Sequence, residues 1–179
     1  MKIKIYFIAV LSLLLVACQS SQHSSKLVEH TGTEILVIDE IEFAENLAIR
    51  QAVRDECRLP EKLTTFIDQF AAKYYSQILT NTDISTVPAG TQILKIKITD
   101  VKGFAGGAWS GGKSVTIVGT LLKDGKVLGD FKARRVSGGG MFAEFKGTCS
   151  ILGRCVKALG KDVAEWLKTP TRNAVLSDF

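Results

Sequence analysis

Alternating hydrophobic and polar residues predict neighbouring strands in the second half of the chain. In residues 92–102, aliphatic side chains alternate with lysines and a threonine, which is typical of a strand with one buried face. Residues 115–122 and 127–136 are rich in β-branched side chains, and a similar run at 34–43 predicts an earlier strand. These four runs predict a sheet.

An Asp-Gly pair at residues 124–125 predicts that two of these strands form a β-hairpin. A type I′ turn needs positive φ at both central residues, and Asp-Gly is among the pairs that favour it. If Leu122 lies opposite Val127, the register follows along both strands. It then puts two further pairs on the face expected to pack against helices, namely Val118 with Phe131 and Thr116 with Ala133.

The other face of this hairpin is predicted to be a partner surface. It carries more aliphatic side chains than a face open to water needs, so we expect a partner, a second chain or the C-terminal tail to cover part of it. The predicted surface comprises Val115, Ile117, Leu121 and Leu128, with Trp109 of the preceding glycine-rich loop.

Two amphipathic helices are predicted around this sheet. Pro60 suits a first helical position, and apolar residues recur at three- and four-residue steps as far as residue 79. A second helix is predicted from about residue 148 until Pro170 stops it. Residues 44–58 fit either a helix or an extended segment, and residues 171–179 are predicted to be a short tail.

The pattern as a whole predicts one domain of the α/β (α+β) class over residues 34–170. It would have a mainly antiparallel sheet of about four strands, with two long helices packed on one face, in the order βαβββα.

The N-terminal residues predict export. Lys2 and Lys4 precede an apolar run over residues 5–17, which has the charged start and short apolar core of a secretory signal peptide. A run of about 13 residues is too short for a membrane span of ~20 residues. Cleavage after residue 17 would leave a chain long enough for one domain with a sizeable core.

The end of that run, LVAC at residues 15–18, resembles the lipobox of bacterial lipoproteins. The resemblance implies that Cys18 is lipidated and becomes the first residue of the mature protein; the alternative is an ordinary secretory signal in which Cys18 is incidental. Gln19 follows, and its similarity to enterobacterial sorting signals implies the outer membrane. Residues 18–33 are then the lipid anchor and a flexible tether, which is rich in serine and glutamine.

Composition narrows the possible partners. The formal net charge is only +5, and no cluster of Lys and Arg is larger than the one at residues 132–135, so no nucleic acid is expected. Both histidines, His23 and His30, lie in the predicted tether. Because the predicted domain then lacks the commonest zinc ligand and a histidine base, we expect no metal, no cofactor and no histidine-assisted nucleophile.

Three cysteines follow Cys18, and an oxidising compartment favours a disulfide between two of them. Cys149 and Cys155 are about 9 Å apart along the axis if they lie in one helix, which is too far for a bond. Cys155 lies on the apolar stripe and suits a buried thiol. We therefore expect Cys57–Cys149, with Cys149–Cys155 as the alternative if the helix begins later.

The sequence GAWSGGKS at residues 107–114 matches the P-loop pattern G-x-x-x-x-G-K-S. A P-loop binds phosphate at the start of a helix. Here the following residues are β-branched and lead into the hairpin, so the helix is missing. We expect no nucleotide to bind and interpret the segment as a loop between antiparallel strands.

Several local motifs resemble those of a family of proteobacterial outer-membrane lipoproteins. They are the lipobox, ECRLP at residues 56–60, the Asp-Gly hairpin, GTC at 147–149, LGKD at 159–162 and the Trp166-Leu167 pair. The predicted element order is also similar to small α/β domains of periplasmic assembly lipoproteins, such as the curli secretion lipoprotein and the amino-terminal domain of TolB.

Two classes of function follow. The first is a non-enzymatic binding or assembly module, whose partner is another envelope protein or a second copy of the chain. The second is a periplasmic hydrolase or transferase that uses paired carboxylates. Its candidate residues are Asp39, Glu40, Glu56 and Asp162. A deep pocket that joins two carboxylates of raised pKa would favour the enzyme.

Overall fold

The computed structural model of the protein describes residues 32–103, 112–137 and 147–177. Within these ranges the strands are β1 (Ile35–Ile38), β2 (Glu42–Phe43), β3 (Gln77–Thr80), β4 (Gln92–Lys102), β5 (Lys113–Lys123), β6 (Lys126–Ser137) and β7 (Ala174–Ser177). The helices are α1 (Gln51–Glu56), α2 (Leu59–Ala71) and α3 (Thr148–Trp166), with 3₁₀ turns at Ala72–Tyr74 and Ile84–Thr86. The predicted signal peptide, Cys18, His23, His30 and Trp109 lie outside the described residues.

The strands form one mixed sheet in the order β3-β1-β4-β5-β6-β7, and β2 pairs with β4 beyond the end of β1. Strands β4, β5 and β6 are antiparallel, as expected. The parallel pairs are β1 with β3, β1 and β2 with β4, and β6 with β7. The fold is therefore mixed α/β, as predicted, but the expectation of about four strands understates a sheet of seven.

Helices α2 and α3 pack on the same face of the sheet and on each other. The apolar stripes predicted for them supply the core. Fully buried side chains with 0% exposure include Leu63 and Ile67 from α2 and Leu152, Val156, Leu159 and Val163 from α3. These side chains lie on both sides of the contact between α2 and α3. Their burial accounts for much of the apolar area that folding removes from water.

Two predicted boundaries are wrong. Helix α2 ends at Ala71, not near residue 79, because a 3₁₀ turn follows it and Tyr75 then adopts extended backbone. The residues beyond Tyr75 leave the helix and become β3. The predicted tail likewise contains β7, which pairs with β6. Of the ambiguous segment 44–58, only Gln51–Glu56 is helical.

The β5–β6 turn has the predicted geometry, because φ is +48° at Asp124 and +73° at Gly125. Leu122 lies opposite Val127 as expected, but one residue farther along β6 the register shifts. Leu121 pairs with Gly129, so Leu128 is an extra residue in β6, a β-bulge.

The bulge overturns the predicted register and exchanges the predicted faces of β5, whereas Phe131 and Ala133 of β6 lie on the helix-packed face as expected. Phe131 lies opposite Gly119 and Ala133 opposite Ile117, not opposite Val118 and Thr116. The side of β5 that packs against the helices carries Val115, Ile117 and Leu121, all with 0% exposure.

A disulfide joins Cys57 to Cys149, as predicted, with 4.8 Å between the Cα atoms. It connects the segment between α1 and α2 to the first turn of α3. Cys155 is a free thiol with 2% exposure, so the alternative pairing with Cys149 is wrong. Among the described residues, no helix is long and apolar enough to cross a bilayer.

Candidate binding surface

The sheet face opposite α2 and α3 is the candidate site, and we call it the open face. In β4 and the second half of β5 it is formed by the residues that alternate with the buried ones, whereas Ser114 and Thr116 on the same side of β5 are buried. One row across it is fixed by strand register: Glu42, Lys97, Val118, Lys132 and Val175 lie side by side from β2 to β7. The next row contains Lys95, Thr120 and Asp130.

Aliphatic side chains make this face partly apolar. Val118 is 37% exposed, Val127 and Leu128 are each 39% exposed, and Val175 is 66% exposed. We call these four residues the apolar patch. The patch spans three adjacent strands, because Val118 lies in β5, Val127 and Leu128 in β6, and Val175 in β7.

A shallow groove of about 580 Å³ runs through the apolar patch. Its lining includes Val118, Val127 and Val175 together with Lys132 and Arg172. A second depression of about 330 Å³ continues it towards β4 and shares Val118, Gly119 and Thr120 with it. The two together cross the sheet from β2 to β7, roughly across the strands.

Charged groups border the groove on both sides. Asp130 accepts a hydrogen bond of 3.0 Å from the backbone N–H of Asn173 and lies 3.5 Å from Arg172, so it fixes the turn before β7. Asp39 lies 3.5 Å from Lys95 at the other end. Lys97 and Lys132 flank Val118 on neighbouring strands. Four acidic and four basic side chains line the two depressions, so the arrangement suits a partner that is apolar in its centre and charged at its margins.

Most residues of the predicted partner surface are not on the open face. Val115, Ile117 and Leu121 lie in the core because the bulge exchanges the faces, so their assignment to an exposed surface is wrong. Leu128 is exposed, at the bulge itself. Sequence reasoning missed Val118, Val127 and Val175. The alternation within β5 does place Val118 and Ile117 on opposite faces, but it does not show which of the two faces is covered.

The P-loop-like segment is described only from residue 112 onwards. Its lysine, Lys113, is the first residue of β5 and is 5% exposed. A strand therefore follows the motif, as predicted, where a phosphate-binding loop needs a helix.

The candidate catalytic carboxylates are not collected in one cavity. Asp39 and Glu40 line a polar cavity of about 740 Å³, whereas Glu56 lines another of about 510 Å³. Asp162 accepts two hydrogen bonds from Arg135, of 2.8 and 2.7 Å. Burial raises the pKa of Asp68 on α2, which lines neither cavity. No group of three or more His, Cys, Asp or Glu in the described part of the chain is placed to hold a metal ion.

No protein-family model and no curated protein matches the chain. Three solved structures with a related fold have low identity. The PelC dodecamer of Paraburkholderia phytofirmans has a TM-score of 0.46 at 11% identity, over 73% of this chain and 87% of that one. A candidate neuraminyllactose-binding hemagglutinin homolog from Helicobacter pylori has 0.46 at 11%, over 79% and 87%. A candidate lipoprotein from Caulobacter crescentus has 0.34 at 16%, over 73% and 91%. All three TM-scores are below 0.5, so this likeness assigns neither a family nor a function.

Proposed function

We propose that this protein is a non-enzymatic binding or assembly module, anchored to the outer membrane by lipid on Cys18, with its domain in the periplasm. The anchor rests on the sequence: a short signal-like segment ends in LVAC, and Gln19 follows the cysteine. Acyl chains on one residue would hold a soluble domain at the bilayer almost permanently.

The proposed binding function rests on one observation, the apolar character of the open face. A sheet face open to water is expected to be polar, whereas here Val118, Val127 and Val175 from three adjacent strands line one groove, and Leu128 is exposed at the bulge beside it. Contiguous exposed apolar surface in a soluble domain marks interaction sites. Lys97 and Lys132 flank Val118 and can pair with carboxylates of a partner, which favours encounter and specificity.

A site-specific photocrosslinker tests this function in cells. Placed at Val118 or Val175, it should capture the same envelope protein, because both positions line the groove. The matched control is Lys157, which is exposed on α3 on the opposite side of the sheet. A product of twice the chain's own mass would identify a second copy as the partner. Equal capture at Val118 and Lys157 would contradict the proposal.

Charge reversal sharpens the same experiment. Lys97→Glu combined with Lys132→Glu should reduce capture at Val175 by about tenfold, since each like-charge contact at an interface costs binding free energy. The control, Lys157→Glu, changes an exposed charge of the same type and should leave capture unchanged.

The anchor has its own test. The mass of the mature N-terminal peptide should show acyl chains on Cys18, and Cys18→Ser should release the protein from the membrane fraction. An unmodified Cys18 in membrane-bound protein would exclude the lipoprotein assignment.

A further inference from the structure

The point at which the chain from Cys18 joins the domain is fixed by backbone contacts. A Cβ atom on Gly32 would lie 1.6 Å from the carbonyl oxygen of Tyr74, so only glycine fits there. The backbone N–H of Ser76 donates to the carbonyl of Glu34 at 2.9 Å, and its hydroxyl donates to the same oxygen at 3.0 Å. Residues 32–34 therefore lie against the segment that follows α2.

Lysines and a tyrosine surround this point. The Nζ atoms of Lys73 and Lys168 each lie 4.9 Å from the centre of the Tyr74 ring. Lys123, at the end of β5, forms a salt bridge with Glu34, and Lys126 lies opposite Lys123 across the hairpin turn. We call these residues the tether-end patch: Lys73, Tyr74, Lys123, Lys126 and Lys168.

The tether-end patch has a small surplus of positive charge. Its four lysines lie close to three carboxylates, those of Glu34, Asp124 and Glu165. Burial acts to raise the pKa of Tyr74, but hydrogen bonds from Lys73 and Lys168 outweigh it and lower that pKa. The two ammonium groups therefore lie beside the Tyr74 ring at the surface of the domain.

We propose that the tether-end patch rests on the anionic phospholipid head groups of the membrane that holds the anchor. This proposal depends on the proposed lipidation of Cys18. Gly32 is 14 residue steps after Cys18, so the two can be at most ~50 Å apart. This reach keeps the patch close to the lipid, so even weak contacts are strengthened by proximity.

The chemistry of the patch fits this surface. Each lysine near an anionic leaflet strengthens binding by about fivefold. Tyrosine places its ring at the head-group level, and lysine extends its ammonium group towards phosphate. The patch lies where β5 ends and β6 begins. The long strands therefore lead away from the bilayer and leave the open face accessible from the side.

Amine labelling of the full lipidated chain in vesicles tests the proposal. In vesicles of phosphatidylethanolamine and phosphatidylglycerol, we expect Lys73, Lys126 and Lys168 to be acetylated about fivefold more slowly than in phosphatidylcholine vesicles. Lys97 and Lys132 on the open face are the internal controls and should react equally in both. Equal rates at the tether-end lysines, or protection of the open-face lysines instead, would overturn the proposal.

Charge variants provide a second measurement. Lys73→Glu with Lys126→Glu should abolish the protection of Lys168 in anionic vesicles. Lys97→Glu with Lys102→Glu makes the same change in net charge at exposed positions of β4 and should leave that protection intact. If Cys18 carries acyl chains but no protection is seen, only this inference fails. If Cys18 is not acylated, the proposed anchor and this inference both fail.

Discussion

The two faces of the sheet carry similar residues and behave in opposite ways. On β5, Ile117 has no exposed surface, whereas its neighbour Val118 is 37% exposed. Both are β-branched aliphatic residues, and both suit a strand equally well. The two residues differ in what lies beside them: the helix-packed core surrounds Ile117, whereas Val118 lines the groove on the open face. The composition of a segment thus predicts that it forms a strand, but it predicts less well which face of the strand is buried.

The largest expected effect concerns the disulfide on the covered side. Its two cysteines are 92 residues apart, so removing the bond should lower the free energy of unfolding by about 4.6 kcal/mol on the chain-entropy model. Urea unfolding of Cys57→Ala, Cys149→Ala and the double variant measures this. Either single change removes the bond, so all three losses should be similar in size. If the loss in the double variant equals the sum of the two single losses, the stability comes from the separate side chains and not from the bond.

The neighbouring residues Ile117 and Val118 compare the two faces directly. Ile117→Ala should cost about 2–5 kcal/mol, because it leaves a cavity in the core. Val118→Ala should cost less than about 1 kcal/mol, since the side chain is partly in water already. Urea midpoints and slopes of both variants give the difference. Losses of equal size would mean that the open face is covered in the isolated protein.

Gly119 tests how tightly the covered face is packed. A Cβ atom there would lie 2.3 Å from the tip of the Phe131 ring, which itself packs edge-on against Trp166 with 4.8 Å between ring centres. Gly119→Ala should therefore cost about 1–3 kcal/mol through overpacking.

Two thermal unfolding experiments check the origin of that cost. In the Phe131→Leu background, Gly119→Ala should be less destabilising, because the ring it meets is gone. Thr120→Ala, the next residue on the open face, serves as the control and should change stability little.

The effect confined to the narrowest range of conditions is a pH dependence from Cys155. Burial raises the pKa of its thiol to about 11, from an ordinary value near 9. The folded state therefore keeps a proton that the unfolded state loses between these pH values, so stability falls as pH rises through that window. Below pH 9 this contribution is constant.

Comparing the natural protein with Cys155→Ala isolates that effect, because tyrosines and lysines common to both also titrate there. The stability difference between them should change only above about pH 9. In the folded natural protein at pH 8, alkylation of Cys155 should be slow and should become fast on unfolding. Fast alkylation of the folded chain would show that α3 opens locally.

Elements with strong local signals could be predicted from the sequence. The Asp-Gly turn follows from its backbone requirements, and α3 follows from its apolar period and from Pro170. The Cys57–Cys149 bond was predicted because a helix that begins near residue 148 keeps Cys149 and Cys155 apart. These conclusions each depend on a few adjacent residues.

The open face could not be predicted, because it depends on contacts between distant residues. Leu128 forms a bulge, but a single extra residue in a β-rich run leaves no mark in the alternation. Strands β3 and β7 contain four residues each and pair in parallel with partners far along the chain. Ile78 in β3 also continues the helical period of α2, so the local pattern favoured the wrong element.

The disulfide has a consequence for the order of events during export. If the chain is exported N-terminus first, Cys57 reaches an oxidising compartment long before Cys149, with α2 and strands β3 to β6 still to follow. Cys155 arrives six residues after Cys149 and is the competing partner. Once α3 has packed, Cys155 faces the core, where its thiol donates to the carbonyl of Lys113 at 3.6 Å. We therefore expect correct oxidation to depend on the docking of α3, so folding selects the bond and the bond then preserves the fold.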